Sequence, residues 1–267
     1  MTVKDITNTQ RNLLKWLALF TMFLDHVGLI LERYISEFIL FRVIGRFSFL
    51  AFGFLMAFNL ASRKLDTRRT VSYLLKLSLF GIPAQYAYAF LIPGAGLNIY
   101  GQFIGFILVI FSFSRLIHLQ TIQSQREQVV FVIKYAVLGG VGGILSYYSD
   151  YHLGGLLYCV ACYFFVRYSL ITKIDRQLWF VGLVGLAFLA NEAMMSAYYD
   201  TTIGFPMILA IIMSIYFILY PSQEHRIPAW FNMEGRKPSK FQTYFFYAFY
   251  PVHLWLLLGV LVLLNHM

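Results

Sequence analysis

The chain has 267 residues, of which 60% are hydrophobic, 19% aromatic and only 12% charged. Soluble domains carry about twice that share of charged residues, so the composition excludes a soluble globular protein and predicts a polytopic membrane protein. The net charge of +9 does not indicate nucleic-acid binding, because the basic residues lie in short loops between apolar runs. Cys159 and Cys162 are the only cysteines, and they lie within an apolar run and define no disulfide framework.

Apolar runs follow one another along the whole chain, at about 20 residues per bilayer crossing. We predict one all-α membrane domain over residues 1–267, with about nine transmembrane helices in a single bundle. The predicted spans are 13–31, 38–61, 71–92, 97–117, 129–148, 153–171, 178–197, 204–220 and 243–264. The first run is interpreted as a retained span and not a signal peptide, because Asp25 and His26 interrupt it and no small-x-small cleavage site follows.

The connections between these spans alternate in charge. Most of the 21 basic residues fall on the side of the N-terminus, whereas the opposite side has Arg33 together with several acidic residues. The positive-inside rule therefore predicts a multi-pass protein of the cytoplasmic membrane with a cytoplasmic N-terminus. Tyrosines near the opposite ends of the spans, such as Tyr86 and Tyr88, are assigned to an interfacial aromatic belt.

Ionisable side chains inside these spans form a candidate functional site, because each is costly to place in hydrocarbon. Asp25 and His26 lie near the outer end of the first span, and Arg42 and Arg46 open the second on one helix face. His253 lies near the midplane of the last span. Further polar residues are predicted at the outer ends, namely Gln85, Asn98, Asp150, Tyr151, His152, Asn191 and Glu192. We expect one outward-facing polar cavity with His253 at its floor.

These residue types favour proton transfer and the binding of an anion. A neutral imidazole accepts a proton near pH 7, and an arginine holds a carboxylate or stabilises an oxyanion. Arg46 is deep enough to require a carboxylate, for which Asp25 or Glu192 is available, whereas Arg42 either joins the cluster or snorkels to the headgroups. No metal-ligand spacing and no Gly-x-Ser-x-Gly motif occurs, so acyl transfer from an activated donor is favoured over hydrolysis.

Six short motifs occur in the order typical of TraX-type proteins. They are Leu24-Asp25-His26, Gly45-Arg46-Phe47, Ala84-Gln85-Tyr86, Asn98-Ile99-Tyr100, Asp150-Tyr151 with Gly154-Gly155, and Phe249-Tyr250-Pro251-Val252-His253-Leu254. The chain thus resembles the TraX family, which is related to the membrane acyltransferase-3 group. The resemblance implies an inner-membrane acetyltransferase that uses acetyl-CoA, and the namesake of the family acetylates the N-terminal amine of conjugative pilin subunits.

The same resemblance implies the site candidates, which are Asp25, His26, Arg46, Gln85, Asn98, Asp150, Tyr151 and His253. His152 stands where the family more often has glycine, and Arg42 is outside the family pattern. We expect His26 to be the general base and Arg46 to pair with Asp25.

Basic loops on the inner side, with Arg63, Lys64, Arg68 and Arg69, are positioned to attract the phosphates of coenzyme A or serve only to determine topology. In the first interpretation the acetyl-pantetheine arm threads inward from the cytoplasm towards His253. No metal and no nucleic acid is expected, and membrane lipids surround the protein.

Three functions remain open for this site. The acceptor is the α-amine of a pilin-like protein, or it is the hydroxyl of a polysaccharide or lipid, which makes the protein an O-acetyltransferase. A transporter or flippase is the third, and it predicts internal repeats with broken helix pairs, of which the sequence shows none.

Overall fold

A computed structural model describes residues 7–63, 65–122, 124–169, 176–198, 202–219 and 240–266. In these residues the elements are α1 (Asn8–Leu31), α2 (Ile39–Ala61), α3 (Thr67–Leu91), α4 (Ile99–Leu116), α5 (Gln125–Tyr147), α6 (His152–Ser169), α7 (Arg176–Ala190), α8 (Glu192–Tyr198), α9 (Gly204–Leu219) and α10 (Lys240–His266), with 3-10 turns at Ser36–Phe38 and Leu119–Thr121. Side-chain caps begin three of the helices: Thr7 for α1, Asp66 for α3 and Asn98 for α4. The predicted all-helical fold is confirmed.

Six helical segments are long and apolar enough to cross a membrane, in the part of the chain that the structure describes. They are Asn8–Leu31, Ser36–Ala61, Thr67–Leu91, Ile99–Leu116, Gln125–Tyr147 and Tyr244–His266. Two further apolar helices, Gln177–Ala190 and Gly204–Leu219, are shorter. A helix occupies the place of each predicted span, but the predicted number of nine membrane crossings is not confirmed.

The seventh predicted span, 178–197, is interrupted at Asn191, where α7 ends and the short α8 follows. The backbone N–H of Asn191 bonds to the carbonyl of Phe188, and its side-chain amide donates to the carbonyl of Ala187 at 2.8 Å. This side chain replaces the backbone donor that a continuing helix would have supplied, so the helix closes here. The hydropathy of the segment did not reveal the break.

Two glycines bring α1 and α2 together at the outer end of the bundle, the end that holds the α1–α2 and α3–α4 connections. A methyl group on Gly45 would overlap the side chain of Asp25, and one on Gly28 would lie 2.9 Å from Cγ of Arg42. Small residues permit such close approach between helices. Helix α2 also packs against α6 and α9, so the arginines of α2 lie in the middle of the bundle.

The α3–α4 and α5–α6 connections are joined by backbone hydrogen bonds. The N–H of Leu97 donates to the carbonyl of Tyr148 at 2.6 Å, and the N–H of Asp150 donates to the carbonyl of Leu97 at 3.1 Å. This short bridge, formed by Leu97 and Ser149, holds Asp150 at the outer end of the bundle.

Helix α10 is attached to α3 and α4 around its proline. Pro251 has no backbone N–H, so the carbonyl of Tyr247, four residues earlier, lacks its usual helical partner. The hydroxyl of Tyr100 donates to that carbonyl at 2.6 Å, and Nε1 of Trp255 donates to the carbonyl of Pro83 at 3.1 Å. These bonds hold His253 against α1.

Candidate functional site

A cavity of about 310 Å³, here called the outer cavity, lies at the outer end of the bundle. Its polar lining residues are Asp25, His26, Arg42, Arg46, Ser48, Tyr88, Asp150, Tyr151, Asn191 and Tyr250. They come from helices far apart in the chain and from the α5–α6 connection. The structure therefore brings seven of the polar residues singled out from the sequence into one cavity.

Arg46 and Asp25 form a buried ion pair in the wall of this cavity. Their side chains are only 8% and 15% exposed, and a guanidinium nitrogen of Arg46 donates to the Asp25 carboxylate. Nε of Arg46 donates to the carbonyl of Arg42 at 3.1 Å. Glu192, the other carboxylate considered for Arg46, lies outside the outer cavity beside Phe188. Removing one partner of such a pair leaves an uncompensated buried charge, which costs about 3–5 kcal/mol.

Arg42 also has a carboxylate partner. Its guanidinium lies 2.8 Å from the carboxylate of Glu32, and both side chains are about one-fifth exposed. Glu32 was not singled out as a site residue from the sequence. Arg42 lines the outer cavity, so its position is explained by the pair with Glu32 and not by lipid headgroups alone.

Backbone carbonyls determine the tautomers of two histidines. Nδ1 of His26 lies 2.8 Å from the carbonyl of Met22, and Nδ1 of His253 lies 2.9 Å from the carbonyl of Phe249. A carbonyl oxygen only accepts, so each Nδ1 carries the hydrogen and each neutral ring has its lone pair on Nε2.

The lone pair of His253 is directed at His26. Nε2 of His253 is 3.4 Å from Nδ1 of His26, and the two ring centroids are 4.9 Å apart. His253 is 3% exposed and lies behind His26, whereas His26 itself lines the outer cavity. The arrangement leaves Nε2 of His26 as an available proton acceptor.

Asp150 and Tyr151 enter the cavity from the α5–α6 connection. The hydroxyl of Tyr88 donates to the carboxylate of Asp150, and the ring of Tyr151 stacks on Phe49 with centroids 3.6 Å apart. Burial raises the pKa of Asp150 to about 6, although the hydrogen bond from Tyr88 and the charge of Arg46 act in the opposite direction. The folded protein therefore favours the protonated form of Asp150 more than water does.

Gln85 and Asn98 lie next to the cavity and hold the α3–α4 connection. The amide of Gln85 donates to the carbonyl of Gly96 at 3.0 Å and accepts from the backbone N–H of Asn98 at 2.8 Å. The side chain of Asn98 caps α4 and donates to the carbonyl of Gly81 at 3.2 Å. Neither residue lines the outer cavity. Their hydrogen bonds position the α3–α4 connection, and the carbonyl of Leu97 in that connection accepts from the backbone N–H of Asp150.

A second cavity of about 360 Å³, here called the inner cavity, lies towards the opposite end of the bundle. Arg63 lines this cavity, whereas Arg68 is exposed. The backbone N–H of Arg69 donates to the side chain of Asp66, which caps α3. Lys64 lies outside the described residues. Of the three described residues among the four assigned to a cofactor, the structure brings one, Arg63, to a cavity.

Two tyrosines of the outer cavity were missed as site residues. Tyr88 was assigned to the interfacial belt, but it is 4% exposed and faces inward. Its spacing is the available signal, because Ala84 and Leu91 are four residues before and three after it on one buried face. Tyr250 belongs to one of the family motifs and shares a helix face with His253, three residues later.

Among the described residues, no group of three or more His, Cys, Asp or Glu side chains is placed to hold a metal ion. The lining residues offer bases, carboxylates and cations instead. Proton transfer and the stabilisation of negative charge are the chemistry that these groups provide.

Several bilayer-length helices around a buried polar cavity define the class, a multi-pass helical membrane protein. The TraX protein family matches residues 10–261, nearly the whole chain, and the chain belongs to this family. The match confirms the resemblance drawn from the six motifs. No curated protein and no solved structure matches the chain.

Proposed function

We propose that this protein is a membrane acetyltransferase of the cytoplasmic membrane, which moves acetyl from cytoplasmic acetyl-CoA to an acceptor at the periplasmic face. The family membership supports pilin acetylation, so the preferred acceptor is the N-terminal amine of a pilin-like protein. The observation that carries the proposal is Nε2 of His26, an imidazole lone pair in the outer cavity whose tautomer is determined by Met22 and supported by His253.

The proposed transfer requires little beyond positioning and a base. An α-amine has an ordinary pKa of about 7.7–8.0, so part of the acceptor is neutral at physiological pH and attacks the thioester carbonyl carbon. As the C–N bond forms, Nε2 of His26 takes the proton from nitrogen. The tetrahedral intermediate then releases the thiolate, the C–S bond breaks, and His26 returns the proton to sulfur. The products are the acetylated amine and the free thiol of coenzyme A.

His253 and the arginines support this step. When His26 becomes an imidazolium, its Nδ1–H donates more strongly to the carbonyl of Met22 at 2.8 Å, and the lone pair on Nε2 of His253, 3.4 Å away, also faces this N–H and stabilises the positive charge. Arg42 and Arg46 line the outer cavity, and the guanidinium N–H groups that Glu32 and Asp25 do not engage are the proposed donors to the oxyanion of the intermediate. The pair of Arg46 with Asp25 keeps this charge in place through the reaction.

The test is acetyl transfer by purified protein in nanodiscs, with labelled acetyl-CoA and an acceptor peptide that has a free N-terminal amine. We expect H26A to lower the rate by about 10²- to 10⁴-fold, the range for loss of a general base, and H253A to cause a smaller loss. The control is H118A, at an exposed histidine far from the outer cavity, which should retain the wild-type rate.

A wild-type rate in H26A would remove His26 from the base role. Transfer to a glycan or lipid hydroxyl, with none to the peptide amine, would replace N-acetylation by O-acetylation. No transfer to any acceptor would exclude the acetyltransferase and leave the transporter alternative.

A further inference from the structure

The inner cavity collects three basic side chains from three different elements. Lys15 is on α1, Arg63 follows α2 and Lys76 is on α3, and all three line the cavity. The amide side chains of Asn12 and Asn59 lie on the same lining. No carboxylate is found among the described residues that line this cavity. Uncompensated positive charge in a concave site attracts a ligand with several negative charges.

The wall beyond these cations is apolar and aromatic. Lys15 lies with its ammonium 5.5 Å from the ring centroid of Phe246, and the remaining lining includes Phe52, Tyr73, Phe103 and Tyr247. A ligand that fits both regions has a charged end and a long, weakly polar arm. From Lys15 to His26 is eleven residues of α1, or about 16 Å along the helix axis, so the arm must be extended.

The inner cavity leads to the catalytic histidine. Met22, Ile99 and Tyr250 line both the inner and the outer cavity, so they form the wall that the two share. The ring of Tyr250 is 5.7 Å from the ring of His26 and 5.3 Å from that of Tyr100, centroid to centroid. An arm that follows the inner cavity to this wall ends beside His26.

We propose that the inner cavity binds the acyl donor, a thioester on a long arm that ends in phosphate groups, with Lys15, Arg63 and Lys76 as the phosphate ligands. The arm follows the cavity to Met22, Ile99 and Tyr250, where the acyl group meets His26. This inference rests on the proposed function and adds the donor site to it. The site differs from the one predicted from the loop after α2, since two of its three cations come from within helices.

Binding of coenzyme A itself tests the inference, because it requires no acceptor and no chemistry. The protein is titrated by calorimetry in nanodiscs of zwitterionic phosphatidylcholine. We expect K15A and K76A each to raise the Kd at least tenfold and the double variant to raise it further, whereas K15R and K76R stay within about threefold of wild type because the positive charge is kept. K134A, at an exposed lysine of α5 outside both cavities, is the matched control and should bind as wild type does.

A Kd unchanged in the double variant overturns the inference. An anionic lipid is the competing occupant, and it is tested by repeating the titration with phosphatidylglycerol. The cavity would be assigned to lipid if coenzyme A bound in neither lipid while phosphatidylglycerol bound tightly and K15A and K76A weakened that binding. This result would also overturn the inference.

The two proposals fail in different ways. If coenzyme A binds and K15A weakens this binding, but no acceptor is acetylated, the donor site is supported and the acetyltransferase function is excluded. Acetyl transfer with an unchanged KM for acetyl-CoA in the double variant keeps the acetyltransferase and removes this site.

Discussion

The hydrogen bonds of His26 and His253 go to backbone carbonyls and to each other. Asp25 is the neighbour of His26 in the chain, but adjacent helical residues point about 100° apart, and Asp25 turns to Arg46 instead. A carboxylate on Nδ1 would favour the protonated ring, whereas a second neutral imidazole does so only weakly. At the scale of single residues, this leaves His26 neutral and ready to accept a proton.

Asp150 gives a pH-dependent stability that is open to measurement. Its pKa is raised by burial from 3.8 to about 6, so the folded protein holds this proton more tightly than the unfolded chain does. The stability that the protonated carboxyl contributes is present below pH 3.8 and is lost as the pH rises through about 6. The quantity to measure is the melting temperature of D150N minus that of wild type, both in detergent. We expect this difference to rise between pH 3.8 and about 6 and to stay constant at higher pH.

The groups facing Asp150 sharpen that measurement. Tyr88 and Arg46 lower the pKa of Asp150, as does His152, while Asp25 raises it. In Y88F, Asp150 loses its hydrogen bond from Tyr88, so the pKa of Asp150 should rise. The pH at which the stability from protonated Asp150 is lost should therefore move to a higher value. A melting-temperature difference between D150N and wild type that is flat between pH 3.8 and 6 would contradict the assignment.

At the scale of elements, the site depends on where helices approach and where they end. Gly28 and Gly45 bring α1 against α2, and the break at Asn191 ends α7 at the outer cavity. The α5–α6 connection then begins α6 at His152, whose φ of 45° is in the left-handed region. Glycine adopts this conformation without the cost that other residues have, so histidine at this position is less favourable than glycine would be.

Position 152 provides a test of that backbone conformation. H152G and H152A both lose the ring, whose Nδ1 lies 2.8 Å from the carbonyl of Tyr147. The two variants therefore differ only in the free-energy cost of the left-handed backbone conformation at position 152. We expect H152G to be more stable than H152A by about 1 kcal/mol, measured by thermal unfolding in detergent. K134G and K134A, in the exposed interior of α5, should show the opposite order, because glycine weakens a regular helix. Equal stability of the two variants at position 152 would contradict the interpretation.

At the scale of the whole molecule, two cavities meet at one wall near His26. In the proposed reaction, this arrangement would let donor and acceptor approach from opposite sides without either crossing the protein. The basic lining of the inner cavity agrees with the charge asymmetry of the loops, which predicts that this end faces the cytoplasm.

Single cysteines test this orientation. Cys159 and Cys162 are free and fully buried, so they should add little background to labelling. We expect E37C, in the turn before α2, to react with a membrane-impermeant maleimide in intact spheroplasts. S124C, before α5, should react only after the membrane is permeabilised, because both native residues are exposed at opposite ends of the bundle. The reverse pattern would invert the predicted orientation.

The sequence by itself determined that the protein is a helical membrane protein and where its helices lie, and it singled out Asp25, His26 and Arg46, which line one cavity in the structure. These properties are local, because apolar run length and the cost of an intramembrane charge are read along the chain. It did not reveal the break at Asn191, since a side-chain hydrogen bond leaves no trace in hydropathy.

Only the tertiary structure decided which polar groups meet. It placed Tyr88 on the outer cavity, Glu192 outside it, and Gln85 on α3 beside it, bonded to the α3–α4 connection. His26 and His253 are 227 residues apart in the chain and within 3.4 Å in the fold. Their contact depends on the rotation of α1 and on the attachment of α10 at Pro251, and both are set by packing between distant helices.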